Sequence, residues 1–434
     1  MNFFSPQRPS DLETRSNTPI IVLCMFITVI EGYNLVVYGS VVPLLLTDSS
    51  LAITDAQTGF IGGALYVGAI LGAILAPIAA DRLGRKRVLV IAIALFALGA
   101  LFTGLSLDAL TLAAARFATG LGVGGSLTTA MTVARNSAAS TRASLVVTIT
   151  MAGIPLGGVI AALLAIPLLP AVGWRPMFFI GALAALAILL AVTLMQIPTD
   201  TPQEVAARHW SGRQKIARLF QGKGAVIAIV IALCAIANMV TWQGLNVWAT
   251  QAMVELGYSL QTALVFTFTL VGAAVVGSFA TAWMADRSSS AVVAIFTGSC
   301  TLAGLIGILA LPLSSVTTTV CIALMGIGGH STMNLVHTTT ADIYPLPVRA
   351  TALGWSNGTS FVGAFFGPVL GGTAIASGGA HGLFSVFAIA AASCLVAVMA
   401  LYGLDRTAHA DARSEDVDGP HLPPRSVEET SSPA

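Results

Sequence analysis

Beyond residue 87, eight stretches of this chain run for 18 residues or more without one Asp, Glu, Lys or Arg. A helix that crosses a bilayer needs about 20 largely apolar residues, so the shorter runs hold one span each. The two longest, 288–341 and 350–404, are too long for one span. Each breaks at turn-forming residues, Pro312-Leu313-Ser314-Ser315 and Ser377-Gly378-Gly379, and reads as a helical hairpin. Two N-terminal segments complete a pattern of twelve spans, near 20–46, 57–80, 87–107, 110–134, 143–166, 175–197, 225–254, 259–284, 291–311, 316–340, 351–376 and 381–402. Only 9% of the residues are charged, against about 25% in soluble domains. The expected fold is an all-α membrane protein.

Charge distribution sets the orientation. With both ends on the cytoplasmic side, 18 of the 20 Lys and Arg residues fall in cytoplasmic segments; Arg116 lies within a span and Arg175 outside. Basic residues concentrate on that side of membrane proteins. A multi-pass protein of the cell (inner) membrane is expected. The polar N-terminus leads into a full-length span and shows no cleavable signal. All five cysteines fall within spans and none is in CxxC spacing, so neither a disulfide framework nor a zinc site is expected.

The polar segment 198–224 divides the chain into two sets of six spans, and the sets repeat. Asp81-Arg82 and Asp286-Arg287 lie 205 residues apart, Gly120-x-Gly122 and Gly326-x-Gly328 lie 206 apart, and Arg142-Ala143 and Arg349-Ala350 lie 207 apart. The expected organisation is a cytoplasmic tail at 1–19, a six-helix half at 20–197, a cytoplasmic linker at 198–224, a second half at 225–402 and a disordered cytoplasmic tail at 403–434. Parallel repeats of this kind place substrate between the halves near the midplane and give access alternately to each side.

Two motifs stand at the ends of spans. The loop Pro77-Ile-Ala-Ala-Asp81-Arg82-Leu83-Gly84-Arg85-Lys86-Arg87 joins spans 2 and 3. Its carboxylate and basic groups at a tight turn can cap helix ends and hold one conformation until transport breaks the contact; simple cytoplasmic anchoring explains its basic residues alone. Asp81, Arg82, Gly84 and Arg85, with Asp286 and Arg287 in the second half, are therefore gating candidates. Span 4 carries Arg116-Phe-Ala-Thr-Gly120-Leu-Gly122-Val-Gly124-Gly125, where glycines admit a close neighbour and the guanidinium needs a partner, a water cavity, an anionic substrate or an outward reach to the interface. Both stretches resemble signatures of the major facilitator superfamily, with Pro77 where the first glycine of its loop pattern stands.

Glu31 lies about eleven residues into span 1, near the midplane. A carboxylate there either exchanges a proton as the cavity opens to each side or stays protonated as an interhelical donor. Asn34 and Tyr38 follow at i+3 and i+7. The stretch EGYNLVVYGSVVP resembles the first-span signature DGYDxxxYGxxxP of the aromatic acid:proton symporter family within that superfamily. Gly173-Trp174-Arg175, Leu245-Asn246-Val247-Trp248, Gly257-Tyr258-Ser259 and Tyr344-Pro345 through Arg349-Ala350-Thr351 resemble further family motifs, and the benzoate and gentisate type is most alike. The resemblance implies proton coupling at Glu31 and at position 34, where this chain has Asn34 in place of the second acid. It also departs after span 4, where Arg135-Asn136 stands in place of a common acidic residue.

The remaining polar residues within spans suggest a substrate face. His330, Asn334 and His337 recur at i, i+4 and i+7 in span 10; Asn238, Trp242 and Asn246 at i, i+4 and i+8 in span 7; span 11 carries Trp355 and Asn357. Aromatic faces and amides suit a hydroxylated ring, although Trp355 and Trp248 also fit an interfacial belt. The substrate-binding set is Arg116, Tyr38, Trp242, Asn246, His330, Asn334 and Trp355. The expected function is import of small benzoate-like or hydroxybenzoate-like carboxylates by proton symport. The alternative is an efflux antiporter, or a facilitator, for other organic anions or drugs. No nucleophile-and-base cluster or metal set marks an enzyme. The expected partners are substrate, protons and lipid, with no cofactor, no metal, no nucleic acid and no second subunit.

Overall fold

The computed structural model describes residues 17–138, 146, 149–197, 219–344 and 346–417. The expected N-terminal tail up to residue 16, the loop with Arg142, most of the linker (198–218), Pro345 and the tail from 418 lie outside them. The described residues form twelve helices: α1 Thr18–Thr47, α2 Asp55–Leu83, α3 Arg85–Leu105, α4 Ala109–Asn136, α5 Gly153–Val172, α6 Arg175–Leu194, α7 Lys223–Glu255, α8 Leu260–Ala285, α9 Ser290–Ala310, α10 Ser315–Ile343, and a continuous run Leu346–Val417 that bends at Gly379 into α11 (346–378) and α12 (380–417). Large apolar side chains such as Phe60, Leu183, Phe279 and Ile389 face outward. A bundle that is apolar outside as well as inside is solvated by lipid.

Two helices run well past the ends expected for them. The fifth span, expected at 143–166, runs on to Val172 through Pro167 and Pro170. A proline costs one backbone hydrogen bond, and packed neighbours in a membrane bundle tolerate that loss; the stop comes instead at Gly173, whose φ of +79° suits glycine. At the other end, residues 403–417, expected within a disordered tail, continue α12 to Val417.

The repeat extends to helix starts and stops. Thr54 before α2 and Ser259 before α8 accept from the N–H groups of Gln57 and Thr262. Asp108 before α4 and Ser314 before α10 accept from those of Thr111 and Thr317. Each satisfies a donor left free at a helix N-terminus. Gly173 and Gly379, 206 residues apart, both take positive φ at the turn into the last helix of their half.

Packing follows the same two-fold pattern. Within the first half α4 packs on α2 and α3, α1 on α5, and α3 on α6; within the second α10 packs on α8 and α9, α7 on α11, and α9 on α12. Close approach between helices is set by matching glycines. A Cβ on Gly120 would overlap the carbonyl of Leu65 and one on Gly326 that of Leu270; Gly122 and Gly328 press on α3 and α9 in the same way. The halves meet through α1 against α7, α2 against α11 and α5 against α8. These contacts are tightest toward one end, where Gly59 abuts Pro368, Gly39 abuts Asn246 and Gly372 abuts the backbone of Asp55. Toward the other end the buried apolar clusters no longer bridge the halves, one being drawn from the first alone and another from the second, and there the halves part.

Candidate functional site

A cavity of about 200 Å³ lies between the halves, lined from α1, α2, α4 and α5 on one side and α7, α8, α10 and α11 on the other. Its first-half wall is mostly apolar, with Leu35, Val36, Val123 and Ile154, interrupted by Glu31 and Tyr66. The second-half wall carries Trp242, Gln243, Asn246, His330, Asn334, His337 and Asn357. The titratable lining groups are Glu31, Tyr66, His330 and His337; no Lys or Arg lines the cavity among the described residues. Gly354 and Gly358 on α11 have open space beside them, on the side where the halves part.

Glu31 is held by its neighbour on α4: the Ser126 hydroxyl donates to its Oε1 at 2.6 Å, while Oε2 is buried with no partner. On α7 the Asn246 side-chain amide donates to the Trp242 carbonyl at 2.8 Å, which fixes the amide plane beside the indole. The Trp242 and His330 rings lie 5.7 Å apart at a tilt of 48°. One aromatic wall, amides that both donate and accept, and imidazoles opposite a carboxylate together suit a flat, polar-edged ring.

Of the residues expected at the substrate, Trp242, Asn246, His330 and Asn334 line the cavity, and so does Glu31. Four others do not. Asn34 lies against Gly181 of α6 and its amide donates to the Ile30 carbonyl at 3.3 Å, because a step of three residues turns it about 60° from Glu31 around the helix. Tyr38 is fully buried, with its hydroxyl on the Thr58 carbonyl at 2.7 Å. Arg116 is buried with its guanidinium 4.6 Å from the centre of the Tyr38 ring, and its Nε and Nη1 have no hydrogen-bond partner. Trp355 donates to the Ala228 carbonyl at 2.8 Å and packs edge-on against Phe220, so it ties α11 to the start of α7. Gln243, Tyr66 and Ser126 are the residues the sequence did not disclose. Gln243 is the flanking neighbour of Trp242, and Ser126 follows Glu31 by 95 positions on another helix.

The gating candidates sit at the end where the halves part. Gly84 takes φ of +82° between α2 and α3. Asp81 and Arg85 line a hollow of about 340 Å³ with Thr128, Thr129 and Thr132 of α4. Lys86, next in the loop, donates to the last carbonyls of α6, those of Thr193 and Met195. In the second half Asp286 ends α8, and Arg287 lies over the Trp283 ring at 3.9 Å. At the opposite end Asp48, just past α1, accepts from Trp174 at 2.9 Å and pairs with Arg175 at 3.0 Å. Hydrogen bonds from Ser50 and then from Trp174 hold the Asp48 carboxyl well below the usual carboxylate range.

Comparison with known proteins settles what this architecture belongs to. The family model described as Major Facilitator Superfamily matches residues 24–328 and again 231–430. The chain belongs to the Major Facilitator Superfamily. Superfamily relatives include the gentisate transporter of Corynebacterium glutamicum, 31% identical over 89% of this chain and 88% of that protein. The benzoate transport protein of Acinetobacter baylyi is 28% identical over 81% and 82% of the two chains. Among superfamily structures, that of a D-xylose-proton symporter superposes with a TM-score of 0.74 at 16% identity, covering 89% of this chain and 98% of that one. Membership places the chain among multi-pass membrane transporters rather than enzymes.

Proposed function

We propose that this protein imports small aromatic carboxylates, benzoate-like or hydroxybenzoate-like, by proton symport, with the cavity between its halves exposed to each side in turn. The observation that carries the reading is the cavity wall itself: an indole, four amides and two imidazoles face a carboxylate across a space the size of a single-ring ligand. The names of the gentisate and benzoate relatives support the substrate class. In this reading the end carrying Asp48 and Gly379 faces outside, both termini are cytoplasmic, and the described conformation opens inward. Substrate carboxylate lies toward His330, which charges when protonated; the ring stacks on Trp242; Asn246, Gln243, Asn334 and Asn357 read ring hydroxyls. Glu31 carries the proton, and its neutral form removes the like charge that would repel the substrate.

The test is uptake of labelled benzoic acid derivatives into proteoliposomes with and without an inward proton gradient, in the native protein and in Glu31→Gln. Gradient-driven uptake of hydroxybenzoates that is lost in the variant is expected. Uptake indifferent to the gradient points to a facilitator, and gradient-driven export points to an antiporter.

A further inference from the structure

Position 34 raises a specific difficulty for proton coupling, because Asn34 cannot titrate and lies against α6, away from the cavity. A buried carboxyl that changes charge during a cycle needs a neighbour that suits both of its forms, since an unmatched buried polar group is costly. Ser126 is such a neighbour. Its Oγ lies 2.6 Å from Glu31 Oε1 and 3.1 Å from the carbonyl oxygen of Val123 one turn earlier on α4. A serine hydroxyl has one hydrogen and two lone pairs, so it has two acceptors in reach and a single proton to give.

We propose that Ser126 is the positioning residue for the coupling proton, with its hydroxyl rotating between Glu31 and the Val123 carbonyl as Glu31 loses and gains that proton. With Glu31 ionised, the hydroxyl donates to Oε1. When a proton arrives from cavity water the carboxylate becomes a carboxylic acid, the Ser126 hydrogen turns to the Val123 carbonyl, and the serine oxygen accepts from the acid. Release to water on the other side reverses both moves, so one proton enters and one leaves while Ser126 exchanges none. The inference rests on the proton-symport reading and adds to it the group that replaces a second acid.

The surroundings leave Ser126 in sole charge of this balance among the described residues. The small void on the α3 and α6 side of Glu31 is lined by Ile27, Ile30, Ile93, Phe96, Ala185 and Ile188 besides Ser126. Around the cavity the other titratable groups are Tyr66 of α2 on the same wall and His330 and His337 of α10 on the facing one. The other charged groups of α4 are Arg116, at Tyr38 and about 15 Å along the helix by its rise, and Arg135 at the helix end.

The experiment compares Ser126→Thr, which keeps the hydroxyl, with Ser126→Val, which keeps the shape of the threonine and loses the hydroxyl. Gradient-driven uptake of a labelled hydroxybenzoate is measured across external pH. Removing a donor from the ionised form favours the protonated form, so Ser126→Val is expected to move the half-maximal pH upward by about one unit, with Ser126→Thr restoring the native profile. Should Ser126→Val not fold, Ser126→Ala and infrared difference spectra of the carboxylic acid band that Glu31→Gln removes give the same answer; that band is expected to shift when the hydroxyl is absent. Coincident profiles for the Val, Thr and native proteins, or an unmoved infrared band, overturn the proposal. Absence of gradient-driven uptake in the native protein fails the symport reading instead, and the infrared titration then still decides the Ser126–Glu31 pairing.

Discussion

Each residue facing the cavity has a task set by what it can donate, accept or ionise. His330 is the imidazole packed beside Trp242. Under the proposed substrate pose, its replacement by Ala removes one charge-assisted hydrogen bond to a carboxylate, about 1.5 kcal/mol or more. Apparent affinity for hydroxybenzoate is therefore expected to weaken about tenfold, read by titration calorimetry, with little change for a ligand that lacks the carboxylate. At the far end of the molecule Asp48 serves stability. Its carboxyl titrates below the ordinary range, held first by Ser50 and then by Trp174, so the stabilisation is full above the unfolded-state value and is lost as pH falls through the folded one. Asp48→Asn is expected to cost about 1 kcal/mol at neutral pH. Its melting temperature in detergent should converge on that of the native protein as the medium is acidified.

At the scale of helices, the glycine pairs make a sharper forecast than the polar residues do. Gly120→Ala and Gly326→Ala each push a methyl group into a backbone carbonyl of the facing helix. Each is expected to destabilise by about 1–3 kcal/mol and to lower the yield of monodisperse protein. Gly354→Ala, with open space around it, should leave both unchanged. Much of this level was legible in the sequence: charge-free runs gave the spans, and the offset of the Gly-x-Gly motifs matched pairs that prove to have matching neighbours. The site was legible only in part, because spacing fixes a residue's direction about its own helix axis and says nothing of what lies there. Glu31, Trp242, Asn246, His330 and Asn334 face the cavity, whereas Tyr38 and Arg116 face each other between α1 and α4. Ser126 carried no signal, since a lone serine in an apolar helix commonly bonds its own backbone.

For the whole molecule, alternating access as proposed makes the closed end the part that must change. Gly59 of α2 touches Pro368 and Gly372 of α11 across the two halves, and no larger side chain fits there while that end stays shut. Gly59→Leu is expected to shift the population toward the state open at that end. Transport should fall by about tenfold or more while ligand affinity from that side is kept, as followed by spin-label distances between α2 and α11.

Among the described residues the cavity lacks a permanent cation, because no Lys or Arg lines it. Under the one-proton reading, a monoanion and its proton cross together as a neutral load. Over the full cycle membrane voltage then does no net work, and the electrical part of the driving force is out of reach. The accumulation such a carrier sustains follows the pH difference alone, about tenfold per unit. Clamping the voltage of proteoliposomes with a potassium gradient should leave the steady state untouched, whereas collapsing the pH difference should bring the inside concentration down to that outside.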